Sequence, residues 1–124
     1  MSTRLGQALH RLTASREELE AADERRTSHA PGSVAVADLV PRRRAAVSGV
    51  LTALTYRPRT QTPALVARLY DGTGTIDLIF LGRREVAGIE LGRRLVAEGM
   101  VYDDDGRPAM YNPAYELAPR AAHA

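Results

Sequence analysis

The sequence predicts a mainly β fold: a five-stranded Greek-key barrel with a short helix between strands 3 and 4, preceded by an N-terminal α-helix. Three observations carry this expectation. Residues 45–117 contain five β-branched or aliphatic stretches of strand length, two of them with clear period-two alternation. Turn-forming runs rich in Gly, Asp and Pro separate these stretches at short intervals. Ahead of them, Leu5, Leu9, Leu12 and Leu19 recur near helical spacing between charged residues.

Taken in order, residues 2–26 read as an amphipathic helix, with Ser15 and Glu18 as a capping box that would divide it in two. Residues 27–39 read as a linker, because His29-Ala30-Pro31-Gly32-Ser33 breaks the helix. The barrel is expected over 40–117. Strand 1 runs from Ala45 to Tyr56, with Gly49 marking a bulge or bend. Tyr56 to Pro63 is a polar loop. Strand 2, Ala64 to Tyr70, turns Leu65, Ala67 and Leu69 one way and Val66, Arg68 and Tyr70 the other. Asp71-Gly72-Thr73-Gly74 is a hairpin turn into strand 3, Thr75 to Phe80, with Ile76, Leu78 and Phe80 inward. Gly82 to Leu91 reads as the short helix, ended by Gly92. Strand 4 runs from Arg94 to Tyr102, Asp103-Asp104-Asp105-Gly106 is a turn, and strand 5 is Pro108 to Leu117, interrupted or edged by Pro113. The tail 118–124 is expected to be disordered. Five strands with a helix between the third and fourth is the layout of the OB barrel, which binds a chain across strands 2 and 3 and the 1–2 and 4–5 loops.

Composition narrows the function. A chain of 124 residues holds one small domain with an accessory segment, and 44% hydrophobic content supports a globular core. There is no cysteine, which excludes disulfides, thiolate metal sites and a cysteine nucleophile. His10, His29 and His123 have no ligand spacing. No apolar run approaches the ~20 residues of a membrane span, and the N-terminus lacks a signal-peptide core. A soluble cytoplasmic protein is expected.

The net charge of +2 is unevenly placed. Residues 40–102 carry ten arginines against five acids, whereas both flanks are slightly acidic. That surplus is where a footprint for phosphates would lie. All seventeen cations are arginine, the residue suited to bidentate phosphate contact and to stacking on bases. A G+C-rich coding sequence would produce the same bias.

Several stretches together resemble a known pattern: Val47-Ser48-Gly49-Val50, then Leu69 to Ile76 around the Asp-Gly turn, then Leu91-Gly92-Arg93-Arg94-Leu95-Val96-Ala97-Glu98-Gly99. They resemble the OB-fold nucleic-acid-binding family of the tRNA-anticodon-binding type. The closing Met110 to Glu116 is similar to the end of the OB wedge domain of branch-migrating DNA helicases. The resemblance covers about two thirds of the chain and implies a nucleic-acid-binding barrel.

The candidate binding residues follow from that face and its loops. Arg68 and Tyr70 share the outward side of strand 2, offering a cation for phosphate and a ring for a base, where stacking is worth roughly 1–3 kcal/mol. Tyr56, Arg57 and Arg59 stand in the 1–2 loop, and Arg42, Arg43 and Arg44 precede strand 1. Tyr102, Arg107 and Tyr111 flank the 4–5 loop. Arg83-Arg84 and Arg93-Arg94 rank lower, because Glu85 and Glu90 can pair with them. Strand 3 offers no outward aromatic, having Ile79 there instead.

Enzyme signatures fail. The Asp103–Gly106 run lacks the spacing and later glutamate of a calcium loop. Gly72-Thr73-Gly74 lies between strands and does not open a helix, so it is no dinucleotide fingerprint. Ser28-His29 has no buried acid to orient the histidine. The expectation is a non-catalytic protein with no cofactor. Its ligand is single-stranded or distorted nucleic acid, DNA or RNA, and the N-terminal helix mediates homo-oligomerisation or a protein contact. The alternative is a protein-interaction adaptor, using barrel and helix against a larger enzyme or transporter.

Overall fold

The computed structural model describes residues 16–22, 24, 30–58 and 62–119. Among these residues seven strands form one sheet: β1 (Arg44–Arg57), β2 (Ala64–Tyr70), β3 (Thr75–Leu81), β4 (Arg94–Met100), β5 (Tyr102–Asp104), β6 (Arg107–Tyr111) and β7 (Ala114–Leu117). Their order is β5-β6-β3-β2-β1-β4-β7. All neighbours are antiparallel except β3 and β6, which run parallel.

The fourteen-residue β1 serves two partners. Its first half, Arg44 to Val50, pairs with β4, and its second half, from Val50, pairs with β2. Gly49 sits near this changeover. A Cβ there would strike the Tyr70 carbonyl oxygen and the Leu69 side chain, so only glycine lets β1 lie this close to β2. The register shift itself falls between Leu51 and Ala53, where Thr52 is the extra residue.

The alternation expected for the β2–β3 hairpin holds. Leu65, Ala67 and Leu69 meet Phe80, Leu78 and Ile76 across the ladder, and all six lie in the main core with Val47, Leu51, Leu95 and Met110. Asp71 closes the turn. Its Oδ1 accepts from the Thr73 amide (2.9 Å), the Thr73 hydroxyl (2.6 Å) and the Gly74 amide (3.2 Å).

Two expectations are corrected. The strand count among the described residues is seven, not five. The chain leaves β4 at Met100 and starts the short β5, which pairs with β6 as a hairpin about Asp105 (φ 56°) and Gly106 (φ 87°). Strand 5 is divided in two, because Asn112 takes a left-handed conformation (φ 49°) and Pro113 brings no amide. Only two residues separate β6 from β7, yet these strands lie toward opposite ends of the sheet order, so the sheet curls until its ends approach.

The short helix between strands 3 and 4 is absent. Residues 82–93 form turns and bends. Gly88, inside the span, has positive φ (76°), which a helix interior cannot accommodate, and Gly82 and Gly92 at its two ends are also at positive φ. The loop is held by the Tyr115 hydroxyl, which donates to the Ala87 carbonyl (2.6 Å), and Ile89 plugs the core.

Residues 30–39, part of the expected linker, run along the barrel as a strap. The Val34 amide donates to Ala46 O (2.8 Å), Val36 is buried, and Val36–Asp38 form one 3₁₀ turn. Asp71 Oδ2 accepts from the Val36 amide at 2.8 Å and the Thr73 hydroxyl oxygen from the Ala37 amide at 3.1 Å, which ties the strap to the β2–β3 turn.

Of the expected N-terminal helix, residues 16–22 and 24 are described and helical. Glu24 is buried and accepts a bidentate pair from Arg94 of β4 (2.6 and 3.0 Å), docking the helix on the barrel. Residues 1–15, and 120–124 of the expected tail, lie outside the described residues. No helix among the described residues is long and apolar enough to cross a membrane.

Candidate nucleic-acid interface

The core-facing residues of β2 and β3 leave the alternate set on the outer face. Following the register across the sheet, Tyr102 of β5 lies opposite Ala109 of β6, Ala109 beside Asp77 of β3, Asp77 opposite Arg68 of β2, and Arg68 opposite Ala53 of β1. The next row is Tyr111, Ile79, Val66 and Thr55. One continuous face therefore carries Tyr102, Tyr111 and Arg68. Neighbouring strands are about 4.8 Å apart, so it extends roughly 14 Å from β5 to β2. Ala64, Val66, Ile79 and Ala109 are buried as a small second apolar cluster, separate from the main core.

Tyr102 and Tyr111 pack edge to face, with centroids 5.6 Å apart and planes at 73°. They keep 44% and 43% of their surface exposed. Edge-to-face packing steadies each ring while leaving ring area for a further aromatic partner. The missing aromatic on strand 3 is supplied from next door, because parallel pairing sets Tyr111 beside Ile79.

Arg68 is committed within the protein. Its Nε donates to Asp77 Oδ1 at 3.1 Å, with Asp77 almost fully buried and the arginine side chain 37% exposed. The pair puts a carboxylate in the middle of the face, which weakens its field for phosphate. The terminal nitrogens of Arg68 make no hydrogen bond among the described residues and remain available.

The other expected residues divide. Tyr70 shares the outer side with Arg68, half-buried between Val50 and Thr75. Arg57 is on that side, opposite Ala64. Tyr56 is not: it belongs to β1 and its register partner is the core residue Leu65, so it faces the opposite way, with the Arg84 guanidinium 5.1 Å from its ring centroid. Arg59 lies outside the described residues.

Arg42 and Arg43 are exposed and held against the start of β5, because the Arg42 amide donates to Val101 O (2.7 Å) and Arg43 O accepts from the Val101 amide (3.0 Å). They thus stand next to Tyr102. Arg44 faces Glu98 at 3.9 Å with both side chains well exposed, a weak pair. Arg107 is exposed, opposite Asp104 in the β5–β6 hairpin.

Asp77 is the residue that sequence reasoning left without a role, although its signal was present. Pairing Tyr70 with Thr75 around the turn puts Arg68 opposite Asp77 by counting alone. Arg94, ranked low for binding, anchors Glu24 instead.

No family model matches the sequence, and no curated protein matches it. Solved structures do. The chain is similar to the replication factor A related protein from Methanobacterium thermoautotrophicum, with TM-score 0.58 and 13% identity over 73% of this chain and 94% of that one. It is also similar to RecG bound to a three-way DNA junction, with TM-score 0.56 and 19% identity over 67% of this chain and 12% of RecG. The fold is of the OB type. At these identities the likeness establishes an architecture that nucleic-acid-binding proteins use, and it does not single out the tRNA-anticodon-binding type.

Proposed function

We propose that this protein is a non-catalytic nucleic-acid-binding OB module, acting in the cytoplasm. It takes a few nucleotides of single-stranded DNA or RNA, or the single-stranded part of a junction, across the outer face of β5, β6, β3 and β2. The observation that carries the reading is the Tyr102–Tyr111 pair, half-exposed on the same face as Arg68 and flanked by Arg42, Arg43 and Arg107. Flat rings serve any base, and arginines around them serve the backbone. The likeness to RecG on a three-way junction favours including branched substrates in the test.

Because Asp77 engages Arg68 and Glu24 engages Arg94, the free charge is modest. Affinity near the micromolar range is expected, about −8 kcal/mol. The N-terminal helix is the means by which a second copy or a protein partner would raise it. The same neutralisation favours a second reading, an adaptor that binds protein through helix and barrel.

Fluorescence anisotropy separates the two. A labelled single strand of about 20 nucleotides, longer than the footprint of one OB fold, is titrated as DNA and as RNA beside a duplex and a three-way junction. Saturable binding that weakens with salt and exceeds duplex binding is expected. No binding up to about 100 µM at low salt, where phosphate contacts are strongest, overturns the reading in favour of the adaptor.

A further inference from the structure

We infer that the cleft beside Tyr102 is a nucleobase pocket, which receives one base from a strand crossing the outer face. This rests on the reading that the face binds a single strand. The cleft has a volume of about 460 Å³ and lies between the strap, the β2–β3 turn and the β5–β6 hairpin. That is within the size range of small-ligand sites.

Its lining decides what it can hold. Val36 and Val101, both buried, and Leu39 give an apolar floor, and Pro41 and Pro108 add rigid apolar surface. Among the described residues no arginine lines it, and its one carboxylate is Asp103. A phosphate entering would lose water and meet a like charge. A base has the opposite requirements: apolar faces, and N–H groups confined to one edge.

Asp103 supplies an acceptor for that edge. Its Oδ1 accepts from the Gly106 amide at 2.9 Å, and Oδ2 makes no hydrogen bond among the described residues. A carboxylate oxygen of this kind accepts from an exocyclic amine such as N4 of cytosine. Thymine and uracil offer one ring N–H between two carbonyl oxygens, which a carboxylate repels. The cleft adjoins the face across the edge strand β5: Asp103 and Pro108 alternate with Tyr102 and Ala109, Tyr102 lines the cleft as well as the face, and Thr75 of the cleft shares the outer side of β3 with Asp77. In this proposal a strand stacked on the tyrosine pair reaches the cleft by turning over the edge strand β5.

The test uses the shortest oligodeoxycytidine that binds with full affinity, a length at which the register cannot slide. A single abasic residue is moved along it one position at a time. One position should lose about tenfold or more, the worth of one base contact, in addition to the losses at the positions stacked on Tyr102 and Tyr111. A single thymine at that position should weaken binding several-fold, a preference that Asp103→Asn removes. Ala37→Trp, at an exposed residue of the cleft wall, should erase the abasic minimum without changing the melting temperature. Equal losses at all positions, or a minimum that persists in Ala37→Trp, overturn the pocket while leaving the face reading intact. Failure of every oligonucleotide to bind overturns both.

Discussion

At the scale of single residues, the proposed interface is built from two kinds of contact with different consequences. Tyr102 and Tyr111 are half-exposed and support each other, so their loss should fall on binding. Tyr102→Ala and Tyr111→Ala should each weaken oligonucleotide binding about 5- to 20-fold, corresponding to about 1–2 kcal/mol of lost stacking. Anisotropy checks the first statement, and an unchanged thermal melt checks that the fold is intact. Arg68 is the reverse case. Its removal leaves the nearly buried Asp77 carboxylate without its partner, so Arg68→Ala should cost about 1–3 kcal/mol in urea unfolding. Asp77→Asn should cost less and should tighten oligonucleotide binding, because Arg68 becomes free for phosphate. Weaker binding in Asp77→Asn would show that the ion pair positions Arg68 for its ligand. The pair was legible from the residues alone, since a symmetric turn over 71–74 dictates that 68 meets 77.

Elements were legible where neighbours in sequence are neighbours in space. The β2–β3 hairpin matches its expected span to within one residue, because alternation and turn chemistry are both local. The helix expected within 82–91 fails for a local reason: Gly88 takes left-handed backbone in the middle of the span. Gly49 acts through a distant contact, the carbonyl of Tyr70. Gly49→Ala should lower stability by about 1–3 kcal/mol through overpacking, measured by chemical denaturation. Asp71 joins two elements, closing the turn with one oxygen and holding the strap with the other. Asp71→Ala should cost about 3 kcal/mol, as several bonds to a charged acceptor disappear together. Amide exchange should find Val36 N–H unprotected in that variant; retained protection would mean the strap is held by Val36 packing alone.

At the scale of the whole molecule, the charge surplus of residues 40–102 is partly spent inside the fold, through Arg68 with Asp77 and Arg94 with Glu24. Arg42, Arg43, Arg57 and Arg107 make no ion pair among the described residues, and they surround the tyrosine face. With about three or four phosphate contacts, the logarithm of affinity should fall against that of salt with a slope of about −2 to −3. A slope near zero would assign the binding to stacking alone, and one far steeper would bring in residues outside the described part of the chain.

By itself the sequence determined a mainly β domain, the spans of β2 and β3, the turn at Asp71, and the sidedness of Arg68 and Tyr70. These follow from periodicity and turn chemistry, which act over a few residues. Only the tertiary structure decided that Tyr111 stands beside Ile79, that Tyr56 faces away from Arg57's side, and that Arg94 is held by Glu24. Each depends on pairings between segments distant in the chain, or on a strand running one residue longer than its pattern. No local preference encodes a parallel ladder between residues more than thirty apart: it forms because the curled sheet brings β3 and β6 together to close the core.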